Sequence, residues 1–188
     1  MNKKQQKTMK KIVILLLVIA ATVGAYAYLN PTDYKEGDIV FQVSNSAQSP
    51  MIKEATGSKW THCGIVVDKD QELYVLEASK TVRLTPLQQW IGRGKGGIVK
   101  SRRVINRQLK VEYGKYLGKP YDLAFRFGNS SWYCSELVYD IYKNQFGIEL
   151  CKPRPIKDYN ISDKRIQSAM KKRGIKPDQE VVAPSDLL

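Results

Sequence analysis

The sequence predicts a mixed α+β domain with antiparallel strands, preceded by one apolar N-terminal helix. Three observations predict it. Short β-prone runs separated by turn signals fill the first half of the body, helical periodicity dominates the second half, and a long charge-free run opens the chain.

That opening run comes first. Lys3, Lys4, Lys7, Lys10 and Lys11 lead directly into Ile12–Leu29, eighteen residues without a charge. A basic flank followed by an apolar run reads as an export signal, with the Lys side left in the cytoplasm. No polar face interrupts the run, as an amphipathic helix of a soluble protein would require. Ala25-Tyr26-Ala27 fits a small-x-small cleavage site. The run is also just long enough to span a bilayer, for which about 18 residues suffice. Residues 1–29 are thus a signal peptide or a membrane anchor, and 30–33 (Asn-Pro-Thr-Asp) a turn-rich linker to a body spanning 34–188. No Cys follows the run closely, which argues against lipoprotein processing.

In the body, Gly37-Asp38 precedes a short strand at Ile39–Val43. Ser49-Pro50 reads as a helix start and Gly57 as its stop. Two further β-prone runs, His62–Val67 and Leu73–Ala78, flank polar Asp68–Glu72 as a hairpin. Gly92–Gly97 is a basic, flexible loop lacking the Gly-Lys-Ser/Thr ending of a phosphate loop, and a strand is expected over Ile98–Ile105. Helices are expected over Leu109–Leu117, Tyr133–Phe146 and Ser162–Arg173, the last closed by Gly174.

Charge and cysteine usage narrow the class. The 188 residues carry 31 Lys and Arg against 18 Asp and Glu, for a net +13. The body stays basic without the five leading Lys, which favours anionic surroundings without choosing among envelope polymer, lipid headgroup and nucleic acid. Three Cys are too few for a disulfide scaffold, although export makes a Cys63–Cys151 bridge conceivable. One His and three scattered Cys give no zinc-ligand pair, so no metal or other cofactor is expected.

Cys134 falls where irregular Phe127–Trp132 becomes a helix. Unpaired N–H groups and the positive helix end favour a thiolate there and can receive an oxyanion. Glu136 should point away from that sulfur, being about 200° further round a helix. The alternative is a buried structural Cys. A thiolate nucleophile needs a base, and His62 is the only imidazole in the chain. A two-residue loop at Lys69-Asp70 sets His62 opposite Glu77, and a four-residue loop leaves the two diagonal on one face. An odd loop without a bulge puts them on opposite faces. Even loops therefore let Glu77 orient His62 as the third member of a triad does. Cys63 alternates to the other face and is assigned to the core.

Taken together, Gly37-Asp38-Ile39-Val40-Phe41, Thr61-His62-Cys63-Gly64-Ile65-Val66, Val75-Leu76-Glu77-Ala78, Gly118-Lys119-Pro120-Tyr121-Asp122, Tyr133-Cys134-Ser135-Glu136-Leu137-Val138 and Ala183-Pro184-Ser185-Asp186-Leu187 resemble a known family. It is the circularly permuted branch of the NlpC-type papain-like cysteine hydrolases, the YiiX/YebB-like group, in which His precedes Cys as it does here. The resemblance implies a papain-like fold with a small antiparallel sheet packed on helices. It makes Cys134 the nucleophile, His62 the base and Glu77 the third residue, and it places Tyr121 beside the reacting centre to assist oxyanion or substrate binding. Cys63, beside the base, departs from the pattern and puts the redox robustness of the site in question.

The reading is an exported thiol hydrolase that works through an acyl-enzyme and cleaves an amide of cell-wall peptide. Two rivals stand beside it. A lipid-directed acyltransferase, amidase or thioesterase of the same fold predicts an apolar groove lined by residues such as Trp60, Trp90, Phe125 and Trp132, whereas a cell-wall enzyme predicts a polar, basic cleft. A non-catalytic binder of anionic envelope polymer predicts steep salt dependence. Nucleic acid is not an expected partner; a membrane is one if residues 1–29 are retained.

Overall fold

The computed structural model describes residues 5–6, 9–16, 18, 33–97 and 99–188. The chain divides into two compact units, Met1–Tyr34 and Lys35–Leu188. In the first, residues 9–16 are helical, and the expected apolar helix Ile12–Leu29 lies largely outside the described residues, as does Ala25-Tyr26-Ala27. Among the described residues no helix is long and apolar enough to cross a membrane.

The second unit is built on a five-stranded antiparallel sheet. Its strands are β1 (Ile39–Gln42), β2 (His62–Lys69), β3 (Glu72–Ala78), β4 (Val82–Pro86) and β5 (Val99–Arg102), in spatial order β4-β3-β2-β1-β5. Its helices are α1 (Ser49–Thr56), α2 (Leu87–Arg93), α3 (Cys134–Phe146) and α4 (Lys164–Arg173). A two-stranded ribbon, β6 (Arg154–Pro155) with β7 (Glu180–Val181), lies near the C-terminus.

The local chemistry of each element matches its form. Pro50 sits in the first turn of α1, and Gly57 ends that helix in the left-handed region, its N–H on the Lys53 carbonyl. Asp163 caps α4 by accepting the Arg165 N–H, and Gly174 closes it. The β2–β3 hairpin turns at Asp70-Gln71, both at positive φ as a tight primed turn requires.

One face of the sheet makes the main core. Cys63, Ile65 and Val67 of β2 and Leu76 of β3 pack with Ile39 and Phe41 against Leu137, Val138 and Ile141 of α3. These side chains are fully buried, and the hydrophobic contribution is about 1.5–3 kcal/mol for each large one.

Two expectations are corrected. Leu109–Leu117 is an irregular, turn-containing segment, not a helix. Its backbone donors are claimed from outside: Val111 N–H by the Glu36 carboxylate at 2.8 Å and Glu112 N–H by the Gln145 side chain at 2.9 Å. Val111 and Tyr116 are buried, so apolar spacing there reflects burial of a loop. The strand expected over Ile98–Ile105 is shorter, Val99–Arg102. Conversely, β4 and α2 form from the segment Val82–Arg93, which carried no expectation of structure before Gly92.

Candidate active site

Cys134 is the first residue of α3 and is 3% exposed, following an extended Tyr133. Its own N–H has no intrahelical acceptor, as at any helix start, and points the positive end of the helix dipole at the sulfur. Ser135 anchors this turn by donating to the Val182 carbonyl at 2.6 Å, and the Tyr133 hydroxyl accepts the Val182 N–H at 3.2 Å. Glu136 folds back to accept the Tyr133 N–H at 3.4 Å, away from the sulfur as expected, and burial pushes its carboxyl up to about 8.

His62 begins β2 on the face opposite Cys63. The hairpin pairs Ile65 with Leu76 and Val66 with Val75. Continuing that register sets Gly64 level with Glu77 and leaves His62 diagonal to it, one of the two arrangements foreseen. The turn that produces it is a two-residue one, shifted by one position from Lys69-Asp70. Gly64 has a reason to be glycine. A Cβ there would meet Val75 Cγ1 at 2.4 Å and the Leu76 carbonyl oxygen at 2.8 Å, and would lie 3.5 Å from Glu77 Cβ. His62 Nε2 meets Glu77 Oε2 at 2.6 Å.

Glu77 is completely buried and saturated with donors. Its Oε1 accepts from Thr85 Oγ1 at 2.7 Å and Arg83 Nε at 3.1 Å; its Oε2 accepts from Trp90 Nε1 at 3.1 Å; Arg93 bridges both at 2.6 and 2.7 Å. Burial alone would raise its pKa, but His62, Arg93 and Thr85 hold it well below the ordinary carboxylate range. Trp90 also stacks on the imidazole with ring centroids 6.0 Å apart. Sequence reasoning missed Thr85 and Arg93 as supports, and gave Trp90 another role. Their one signal was the alternation Val82-Arg83-Leu84-Thr85 running into Pro86, a strand edge that presents Arg83 and Thr85 on the Glu77 face.

The remaining imidazole nitrogen, Nδ1, is left for the Cys134 sulfur. Burial disfavours charge on His62, yet its hydrogen bonds with Cys134 and Glu77 outweigh that and push it up to about 9. Cys134 is held well below the ordinary thiol value, first by a hydrogen bond from Cys63 and then, against burial, by His62. Both shifts favour the charged forms, thiolate on Cys134 and imidazolium on His62. Tyr121 reaches the same sulfur with its hydroxyl; burial and the adjacent Cys134 charge keep that hydroxyl protonated. Cys134, His62, Glu77 and Tyr121 thus lie together around one sulfur.

All three cysteines are free. Cys63 lies in the core against Cys134, its thiol pushed up by burial, so the conceivable bridge to half-buried Cys151 is not formed.

Two recesses flank the sulfur and the imidazole. On the Cys134 side is an apolar pocket of about 820 Å³ including its open mouth, walled by α1, α4 and the C-terminal segment through Met51, Ile52, Phe125, Tyr159, Ile166 and Val182. On the His62 side is a polar recess lined by Gln42, Ser44, Asn45, Thr61, Arg83 and Arg93. Tyr121 lines both. Of the four aromatic residues expected in an apolar groove, only Phe125 lines this one. Trp60 is in the core, Trp90 supports His62, and Trp132 packs edge-on against Tyr116.

A thiol on the first residue of a helix facing an imidazole on an antiparallel sheet, with a carboxylate behind the imidazole, is the arrangement of the papain-like cysteine hydrolases, here with His before Cys in chain order. The chain belongs to their permuted amidase branch: residues 33–188 match the family of permuted papain-like amidase enzymes, YaeF/YiiX, C92. It is a cysteine peptidase or amidase-type hydrolase. It is 35% identical over 176 residues to the uncharacterized protein YiiX of Escherichia coli K12, covering 88% of this chain and 85% of that one. It superposes with a TM-score of 0.74 on a crystal structure described as the metalloprotein yiiX from Escherichia coli O157:H7, at 36% identity over 81% of this chain and 91% of that one. Among the described residues here, no group of three or more His, Cys, Asp or Glu side chains is placed to hold a metal ion.

Proposed function

We propose that the protein is an exported cysteine amidase acting on amphiphilic amides, with Cys134 as nucleophile, His62 as general acid and base, and Glu77 as the orienting carboxylate. The observation that carries the lipid-directed choice is the apolar pocket opening beside Cys134. The Cys134 thiolate attacks the amide carbonyl. The Cys134 N–H and the Tyr121 hydroxyl face the developing oxyanion, and His62 passes its proton to the departing amine. Water then attacks the thioester, giving a proton back to His62 and releasing the acid. Glu77 keeps the ring in place and stabilises its charge throughout.

What supports export is the Lys-flanked apolar run at residues 3–29; on this reading the body works on the outer side of the cytoplasmic membrane, as an anchored, periplasmic or secreted enzyme. A second reading, cleavage of a stem-peptide amide in the cell wall, is favoured by the polar, arginine-bearing recess beside His62.

Incubation of the full-length protein with N-octanoyl amides and, separately, with isolated stem peptides tests both. Mass spectrometry should find octanoate released by wild type, and a loss of at least about a thousandfold in Cys134→Ala. New amino termini on stem peptides, with no octanoate, would replace the lipid reading by the cell-wall one.

A further inference from the structure

The polar recess has features that the family chemistry does not require. Gln42 pairs across the sheet with His62, level in register, so its side chain stands on the same face as the imidazole. It is 2% exposed, and its Oε1 has no hydrogen-bond partner. A buried acceptor left unmatched is destabilising, and a donor supplied from the recess would remove that deficit. The charges there are also unbalanced. Arg83 and Arg93 bring two guanidinium groups against the single Glu77 carboxylate, while the His62 and Cys134 charges cancel each other. Among the described residues no acidic side chain lines the recess, and the Arg83 and Arg93 side chains are both more than a third exposed.

The direction of the reaction assigns this recess to one end of the substrate. His62 protonates the departing amine, so the amine lies on the imidazole side and the acyl group on the Cys134 side. We infer that the His62-side recess is a leaving-group subsite for an amino acid, its amide N–H donated to Gln42 and its carboxylate set against Arg83 and Arg93. The substrate class is then an N-acyl amino acid with an apolar acyl chain. This inference rests on the amidase reading above and narrows it. In the balanced reaction, the Cys134 S–C bond forms as the C–N bond breaks and the His62 proton goes to the amine. Water supplies hydroxyl to the acyl carbon and a proton to His62 as the thiolate leaves. The net change is amide plus water to acid plus amino acid.

The probes are N-octanoylglycine and N-octanoylglycinamide, which share acyl chain and scissile bond and differ only in the carboxylate. Calorimetric titration of full-length Cys134→Ala should show at least tenfold tighter binding of the glycine compound at low salt. Adding Gln42→Glu, which places a negative charge in the recess, should bring the ratio to one or below. Arg83→Gln, at a more exposed position, should lower it several-fold should the Gln42 variant fold poorly. Equal binding of the two probes, or binding of neither, overturns the subsite. Turnover is read separately on the enzyme with its thiol. A binding preference without octanoate release upholds the subsite while removing the hydrolase reading for this bond.

Discussion

Cys134 and His62 titrate as one unit, because each charge is what stabilises the other. With His62 pushed up to about 9 and Cys134 held below the ordinary thiol value, the thiolate is favoured at neutral pH. Iodoacetamide alkylation of the full-length protein should therefore select Cys134 over Cys63 and Cys151 at pH 6–7, where burial keeps the latter two protonated. The kcat/KM profile should be bell-shaped, with its alkaline limb near pH 9 as the imidazolium loses its proton. His62→Ala should return Cys134 reactivity to that of an ordinary thiol; unchanged selectivity would sink the ion-pair reading. Cys63→Val removes the sulfur donor and should move the onset of alkylation to higher pH without abolishing it. Stability follows the same signs. A raised His62 contributes fully below its unfolded value of about 6.5 and loses that contribution as pH rises through about 9. Glu77, depressed, contributes above its unfolded value of about 4.5 and loses its contribution as acid protonates the folded carboxylate.

The elements matter because the centre is assembled from two of them and held by a third. The β2–β3 hairpin carries His62 and Glu77, the α3 start carries Cys134, and the β4–α2 segment closes over Glu77 with Thr85, Trp90 and Arg93. Glu77→Gln keeps the shape but strands two guanidinium groups and the imidazolium. The expected loss is near the low end of about 3–5 kcal/mol, because Arg83 and Arg93 are partly solvated. Urea denaturation at pH 7 measures it, and a change under about 0.5 kcal/mol would mean the cage is not stabilising. Gly64→Ala should cost about 1–3 kcal/mol through overpacking on Val75 and the Leu76 carbonyl. It should also lower activity more than a surface Ala substitution does, since the new methyl crowds the β3 backbone that carries Glu77.

At the scale of the whole molecule, the C-terminal segment turns a catalytic centre into a site with two unlike sides. Asp186 gathers Arg154 at 3.0 Å, the Tyr159 hydroxyl and the Ala183 N–H, fixing the wall of the apolar pocket, while Ser135 ties the same wall to α3. Asp186→Ala should therefore weaken binding of the octanoyl chain while sparing the Cys134 alkylation profile; a parallel loss of both would show the two are not separable. Export is tested on the intact N-terminus. Alkaline phosphatase, active only outside the cytoplasm, fused after Asp33 should be active, and reversing the charges of the five leading Lys should lower that activity several-fold.

The sequence by itself singled out Cys134 and His62 and most of the short elements around them. Those signals are local: one imidazole in the chain, a thiol at a loop-to-helix boundary, turn residues at Gly57 and Gly174, and apolar spacing along α3. It also allowed His62 and Glu77 to share one face for any even loop, because strand alternation has a period of two. Only the tertiary structure decided the rest. The turn at Asp70-Gln71 chose the register, and the donors around Glu77 come from residues six to sixteen positions further along the chain. Leu109–Leu117 lost its helix to acceptors from Glu36 and Gln145. The two recesses join α1, α4, β1 and the C-terminus around one sulfur and one imidazole. Such closures depend on which distant surfaces meet, and no local pattern of side chains encodes that meeting.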